Sequence, residues 1–390
     1  MTTQPHVSGA AAQSTGGLGM LTAIVLLAAI TPAVLMTAPA LAAQLAAQWQ
    51  LSPAQIGDLF SCELGAMSLA TLPAYWWLRR VDWRRAALGA GLLFVAANLA
   101  SAFVADYGTL LALRFASALA GGSLMILCMS SAASTPNPGR VYGLWVMGQL
   151  VIGAVGLAVL PGLFAAHGIA ACYLLLAVLM GLCLPLTRCL PAGASLNVQK
   201  SAAERASGFR LRAGLGILAV LTFYISLSGI WTFIGGIASQ AGLSAAESGD
   251  ILAVATLLGI AGAGCASLIG ERCGRAPLLL AGYLMMLAAI LLLLEQPQLA
   301  RFAAAALLFK YTWTFVLPFI LASLAALDPS GRLMNTTNLV IGGGLAIGPA
   351  IAGRLLEASG GDFQPLLLGA AISAALSLGL ILATNRRQPA

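Results

Sequence analysis

Two ionisable side chains lie deep inside long apolar stretches of the sequence, where they could do chemistry. Glu63 lies in the stretch 54–78 and Lys310 in the stretch 299–327. A charged group at the centre of a bilayer costs about 2.5–3.5 kcal/mol on insertion scales, so a residue found there usually has a function. Because removal from water penalises a charged carboxylate, Glu63 could take up a proton and couple it to a substrate. An ion pair with Arg114 that locks one conformation is the alternative.

Lys310 is followed closely by two aromatic residues, Tyr311 and Trp313. A lysine in such surroundings suits an anionic or aromatic ligand, through charge and through cation–π contact. A lysine that snorkels to the interface or pairs with a carboxylate is the alternative. Further polar or aromatic side chains in apolar stretches could complete a binding site, or could merely bridge neighbouring helices. They are Gln149, Tyr224, Trp231, Asn335 and Asn338.

The composition shows which elements must position these residues. Of the 390 residues only 8% are charged and 60% are hydrophobic, with a mean hydropathy of +0.95. A soluble chain has about 25% charged residues, so most of this chain is solvated by lipid. The sequence therefore predicts an all-α membrane protein that crosses the bilayer many times.

The charges divide the chain into apolar stretches of helical length. A helix needs about 20 apolar residues to cross the hydrocarbon core, and the runs are continuous rather than alternating. The sequence predicts twelve transmembrane helices, at 20–47, 54–78, 86–104, 109–133, 141–165, 169–190, 214–239, 247–270, 276–295, 299–327, 333–356 and 363–384.

The positive charges predict the orientation. All but four of the 19 lysines and arginines fall on one side of this topology, and an excess of these residues marks the cytoplasmic side. We therefore expect a protein of the cytoplasmic membrane with both termini in the cytoplasm. The net charge of +7 is then a signal of orientation and does not indicate nucleic-acid binding.

The chain nearly repeats itself. The segment 51–58 matches 243–250, and 138–140 matches 330–332, at the same offset. Both members of each pair enter the membrane from the same side, which predicts two parallel six-helix repeats. The predicted organisation is a bundle at 1–190 with a short cytoplasmic tail, a cytoplasmic linker at 191–212 and a second bundle at 213–390. Asp58 and Asp250 lie near the beginnings of their helices, where capping is the simplest role for a carboxylate.

Over essentially its whole length the chain resembles the major facilitator superfamily. That family carries an acidic and basic signature in the loop after the second helix, echoed after the eighth. Here the echo contains Glu271, Arg272, Gly274 and Arg275, and the first loop has Arg84 and Arg85 with Asp82 nearby. Arg114 matches the arginine of the family's fourth helix. The resemblance implies the twelve-helix fold of this superfamily and a role for the loop residues in conformational change.

The resemblance also implies a function. We expect a permease that performs secondary active transport of a small organic solute by alternating access, driven by protons through Glu63. A partial glycine motif of exporters at Gly148, Gly153 and Gly156 favours efflux over uptake. A facilitated uniporter and a transport-inactive receptor or scaffold on the same fold are the alternatives. The expected partners are the solute, protons and lipid, and we expect a monomer.

Enzymatic chemistry has no support in the sequence. Both histidines, His6 and His167, fall outside the predicted helices, and no hydrolase, metalloprotease or nucleotide-binding motif occurs. The seven cysteines are scattered without metal-ligand spacing, so we interpret them as small core residues. We therefore expect no cofactor and no metal.

Overall fold

Helices make up nearly all of the structure. The computed structural model describes residues 8–193, 209–270, 272, 274–328 and 332–385, and none of these residues forms a β-strand. A helix satisfies its backbone hydrogen bonds within itself, which lipid cannot do for it. The prediction of an all-α membrane protein is confirmed.

The first half of the chain contains several interrupted helices, whereas those of the second half are continuous. The first half forms α1 (Ser8–Ile30), α2 (Ala33–Met36), α3 (Ala38–Trp49), α4 (Pro53–Leu69), α5 (Thr71–Trp77), α6 (Trp83–Ser101), α7 (Tyr107–Ala133), α8 (Pro138–His167), α9 (Ala170–Cys183) and a 3-10 helix (Leu184–Cys189). The second half forms α10 (Phe209–Gln240), α11 (Ala245–Ile269), α12 (Arg275–Leu292), α13 (Leu299–Ala325), α14 (Arg332–Ala358) and α15 (Gln364–Asn385).

The first predicted span is not one helix. In a continuous helix the amides of residues 32 and 39 would donate to the carbonyls of Ala28 and Leu35, but both positions are proline. The helix is therefore interrupted between Ile30 and Ala38. The expectation of a continuous helix over 20–47 is wrong here.

Nine helices within the described residues are long and apolar enough to cross a membrane. They correspond to the last three predicted spans of the first half and to all six of the second. The first two predicted spans are interrupted helices, and α6, the third, has Arg84 and Arg85 in its first turn. The predicted total of twelve is consistent with this arrangement.

The internal repeat is visible in the helix starts. Ser52 caps α4, where its hydroxyl accepts from the amide of Gln55 and its own amide donates to the Gln55 side chain. Ser244 and Glu247 form the same capping box at the start of α11. Serines therefore cap both helices, and the expectation that Asp58 and Asp250 do so is wrong.

The two halves pack along three helix pairs, which are α4 with α14, α8 with α11 and α3 with α10. Glycines allow close approach: a Cβ atom on Gly57 would overlap the carbonyl of Pro349, and one on Gly249 would overlap the carbonyl of Leu157. Helix α10 begins at Phe209, inside the segment 191–212 for which the sequence predicts a linker. Most of the predicted linker lies outside the described residues.

A salt bridge and hydrogen bonds join the halves at one end of the bundle. Arg354 Nη1 lies 2.6 Å from Asp58 Oδ1. Glu357 accepts hydrogen bonds from the hydroxyl of Ser52 at 2.7 Å and from the amide of Ala54 at 3.0 Å. The halves are therefore held together at this end. We call it the distal face, and it carries the connections 50–52, 102–106, 168–169, 241–244, 293–298 and 359–363.

Candidate functional site

Glu63 and Arg114 face each other inside the first half. Glu63 lies on α4 and Arg114 on α7, and Arg114 Nη1 is 3.6 Å from Glu63 Oε1. Both residues are buried, with 7% of Glu63 and 1% of Arg114 exposed. The distance is that of an ion pair but is too long for a hydrogen bond of good geometry. Arg114 Nη1 accordingly has no hydrogen-bond partner.

Arg114 is held in place by other elements of the same half. Its Nη2 donates to the hydroxyl of Ser101 at 2.9 Å, and its Nε donates to the same oxygen at 3.2 Å. The guanidinium carbon lies 4.4 Å from the ring centroid of Tyr173, a cation–π contact. Arg114 therefore keeps partners on α6 and α9 whether or not Glu63 is charged.

The position of this pair relative to the two halves constrains its role. The elements around it, α4, α6, α7 and α9, all belong to the first half, so the pair does not bridge the halves. However, α4 also packs along α14 of the second half. Glu63 thus lies on a helix that also forms part of the contact between the halves.

Lys310 is buried in the second half and contacts two tryptophans. Its Nζ lies 3.8 Å from the ring centroid of Trp231 on α10 and 4.4 Å from that of Trp313 on α13. The two indoles meet edge to face, with centroids 6.3 Å apart. Only 2% of Lys310 is exposed, and no carboxylate within the described residues lies within 4.0 Å of it. Two aromatic faces thus hold a buried cation that lacks a counter-ion among these residues.

Indole N–H groups replace the amides that the prolines of the first span lack. Trp145 Nε1 donates to the carbonyl of Ala28 at 3.0 Å, and Gln149 Nε2 donates to the same oxygen at 3.1 Å. Trp231 Nε1 donates to the carbonyl of Leu35 at 2.8 Å. The carbonyls released by Pro32 and Pro39 are therefore satisfied, one from within the same half and one across the interface.

Of the other residues that the sequence singled out, Tyr224 contacts the Lys310 cluster, because its side chain is hydrogen-bonded to that of Trp313. Tyr224 is buried where α10 packs closely on Gly344 of α14. The ring of Tyr311 stacks on Phe315, with centroids 5.9 Å apart. Asn338 is exposed on α14. The side chain of Asn335 lies outside the described part of the chain.

The loop-motif residues have local structural roles. Asp82 caps α6 by accepting from the amide of Arg85 at 3.0 Å, and Arg84 Nε donates to the carbonyl of Leu190 at 2.6 Å. In the second half Gly274 precedes α12, and Arg275 Nη1 donates to the carbonyl of Ala322 at 3.3 Å. The exposed Arg272 lies beside Glu271, which is outside the described residues. Each of these contacts stays within one half.

Sequence reasoning found the charged residues but missed some of their partners. Arg114 is bound by the ring of Tyr173 and the hydroxyl of Ser101. No sequence motif links either of these two residues to Arg114. Trp313 follows Lys310 by three positions, a spacing that places both on one face of a helix. Within the described residues no three His, Cys, Asp or Glu side chains cluster as metal ligands would.

Known structures share this fold. A mutant of the nucleoside transporter NupG matches with a TM-score of 0.73 at 12% identity, over 94% of this chain and 98% of its own. An inward-facing bacterial homologue of the human lysosomal transporter Spinster matches with a TM-score of 0.68 at 15% identity, over 97% and 99%. A mutant of the peptide transporter POT matches with a TM-score of 0.72 at 14% identity, over 93% of each chain. The fold is therefore that of membrane transporters.

The sequence itself identifies the family. The family model of the Major Facilitator Superfamily matches residues 14–214, more than half of the chain. No curated protein matches the sequence. The chain belongs to the Major Facilitator Superfamily, which confirms the predicted family. It is a multi-pass membrane transporter of small solutes and not an enzyme.

Proposed function

We propose that the chain is a proton-coupled transporter that exports a small anionic organic solute by alternating access. The two halves separate in turn at the distal face and at the opposite face, around a ligand site at Lys310. In the orientation that the positive charges favour, the distal face lies outside the cytoplasm. The partial glycine motif supports export, and its glycines on α8 contact the first span at Val25, Met36 and Thr37.

The buried Glu63–Arg114 pair carries the proposal of proton coupling. Glu63 is buried and has only one long ionic contact, to Arg114. Its ionised form is therefore costly to keep, because burial disfavours a charged carboxylate. Protonation of Glu63 removes that penalty, and Arg114 remains bound to Ser101 and Tyr173. Glu63 is therefore suited to bind and release a proton while α4 moves against α14.

The environment of Lys310 supports an anionic solute. A buried ammonium with aromatic contacts and no carboxylate among the described residues favours an anion that supplies the missing charge. The indole faces around it can also contact an apolar or aromatic part of the same solute. A cationic solute would meet repulsion at this site.

Transport by the purified protein in proteoliposomes tests the proposal. A thermal-shift screen of carboxylates first identifies a ligand, since ligands stabilise the state that they bind. We expect a pH gradient to accelerate its transport by wild type, and Glu63→Gln to abolish that acceleration while solute exchange continues. Lys310→Ala should weaken binding of the anion, with Arg301→Ala as a control at a cation near the membrane surface.

Two other outcomes identify the alternative functions. If wild type transports the solute at the same rate with and without a pH gradient, the protein is a facilitated uniporter. Ligand binding without transport in either direction indicates a receptor or scaffold. Either result would overturn the proposal of proton coupling.

A further inference from the structure

Trp231 connects the candidate ligand site with the contact between the halves. Lys310 Nζ lies 3.8 Å from the centroid of the Trp231 ring, and the indole Nε1–H donates to the carbonyl of Leu35 at 2.8 Å. Lys310 and Trp231 belong to the second half, whereas Leu35 lies on α2 in the first. One side chain therefore contacts both a buried charge and the opposite half of the protein.

The bond to Leu35 takes the place of a helical hydrogen bond that the chain cannot make here. The residue that would donate to this carbonyl in a continuous helix is Pro39, which has no amide hydrogen. One turn further along, Gly235 packs so closely on the carbonyl of Pro39 that a Cβ atom would come within 2.8 Å of it. When the halves separate here, the Leu35 carbonyl must find water or another donor, because an unpaired buried carbonyl is costly.

The charge on Lys310 strengthens the hydrogen bond from the Trp231 N–H to the carbonyl of Leu35. A cation over an aromatic face is attracted to the ring, and hydrogen-bonded groups polarise one another in a medium of low dielectric constant. An ammonium above Trp231 therefore fixes the ring plane and makes its N–H a better donor to Leu35.

We propose that Trp231 is a positioning residue that couples the charge at Lys310 to closure of the distal face. An anion that pairs with Lys310 draws the ammonium away from the indole, weakens the bond to Leu35 and allows the halves to separate. The proposal rests on the proposed function only in assigning the anion to Lys310. The link between Trp231 and closure stands or falls without any solute.

Hydrogen–deuterium exchange of the full-length protein measures this closure without a ligand. Trp231→Phe keeps an aromatic face for Lys310 but removes the donor. Amides of α3 and of the start of α4 should exchange roughly 5- to 30-fold faster, the population change expected from one buried hydrogen bond. Pro39→Ala keeps Trp231 and supplies a backbone amide that competes with the indole for the Leu35 carbonyl. It should therefore also raise the exchange rate of these amides. The double variant should exchange no faster than the faster single variant.

Trp145→Phe is the matched control. It removes an indole bond to a carbonyl released by proline, but within the first half, and Gln149 remains as a donor to Ala28. We expect its effect to be confined to α1 and α8. Lys310→Met, which imitates withdrawal of the ammonium, should raise exchange at α3 about two- to fivefold, as expected for loss of a cation–π contact.

Three results would overturn the proposal. The first is an unchanged amide exchange rate at α3 in both Trp231→Phe and Pro39→Ala. The second is a double variant in which the effects of these two substitutions on the exchange rate add. The third is an exchange rate in Lys310→Met equal to that of wild type. Should Trp231→Phe fail to fold, Pro39→Ala and Lys310→Met still decide the question. If these variants behave as expected but no anion is transported, the proposed function fails and the coupling through Trp231 stands.

Discussion

Removal of Arg114 should destabilise the protein in a way that depends on pH. Arg114→Met deletes the cation and leaves the Glu63 carboxylate buried without its ionic partner. The hydrogen bonds to Ser101 are lost as well. The matched variant is Glu63→Gln combined with Arg114→Met, which replaces both charges by neutral groups of similar size.

The expected magnitude follows from the distance. Two unit charges 3.6 Å apart attract by about 5 kcal/mol at an effective dielectric constant of 20. Removal of one partner of a buried ion pair typically costs about 3–5 kcal/mol, whereas neutral replacement of both is close to neutral. We therefore expect a loss of several kcal/mol for Arg114→Met and a much smaller one for the double variant.

Protonation of Glu63 limits the loss in the single variant. Without Arg114 the folded state should bind a proton at Glu63 that the unfolded state does not bind at the same pH. Stability of the variant then falls as the pH rises, by up to about 1.4 kcal/mol per pH unit. The thermal midpoint in detergent should show a larger deficit at pH 8 than at pH 6. Equal stability of wild type and Arg114→Met at pH 8 would refute the reasoning.

Three further predictions concern the distal face and the helix ends. Asp58→Asn should cost no more than about 1 kcal/mol, because the pair with Arg354 is exposed, and the difference in unfolding midpoint from wild type should shrink in high salt. Gly57→Ala should separate α4 from α14 and speed amide exchange at the distal face, whereas Gly89→Ala, in open space, should not; equal effects would argue against close packing there. Hydrogen bonds from Thr109 lower the pKa of Asp106, so its cap on α7 stabilises at neutral pH and is lost as the pH falls through this lowered pKa. Asp106→Ala should therefore lower the melting temperature at pH 7, and its difference from wild type should shrink as the pH falls below the usual aspartate pKa of about 3.9. A constant difference would contradict the assignment.

Short-range patterns predicted a large part of this structure. The scarcity of charge predicted the all-helical membrane class, and the matching segments at 51–58 and 243–250 correspond to two equivalent helix starts. Glu63 with Arg114, and Lys310 with an aromatic neighbour, were also suggested by residue type. These inferences succeed because every segment that crosses lipid must satisfy its own backbone hydrogen bonds, which a helix does.

The remaining features depend on contacts between distant segments. Asp58 has the position of a helix cap, yet its partner is Arg354, 296 residues away in the sequence. The interruption of the first span could have been predicted from Pro32 and Pro39, since each removes a helical donor. The donors that replace them, Trp145 and Trp231, are fixed only by how whole helices pack.

Proton exchange on solute binding tests the central claim most directly. Purified protein in weakly buffered detergent solution is mixed with a transported anion while a pH indicator reports the protons bound or released. The account predicts a pH change with wild type and none with Glu63→Gln, although the variant still binds the anion. An equal pH change in both proteins would contradict the role assigned to Glu63.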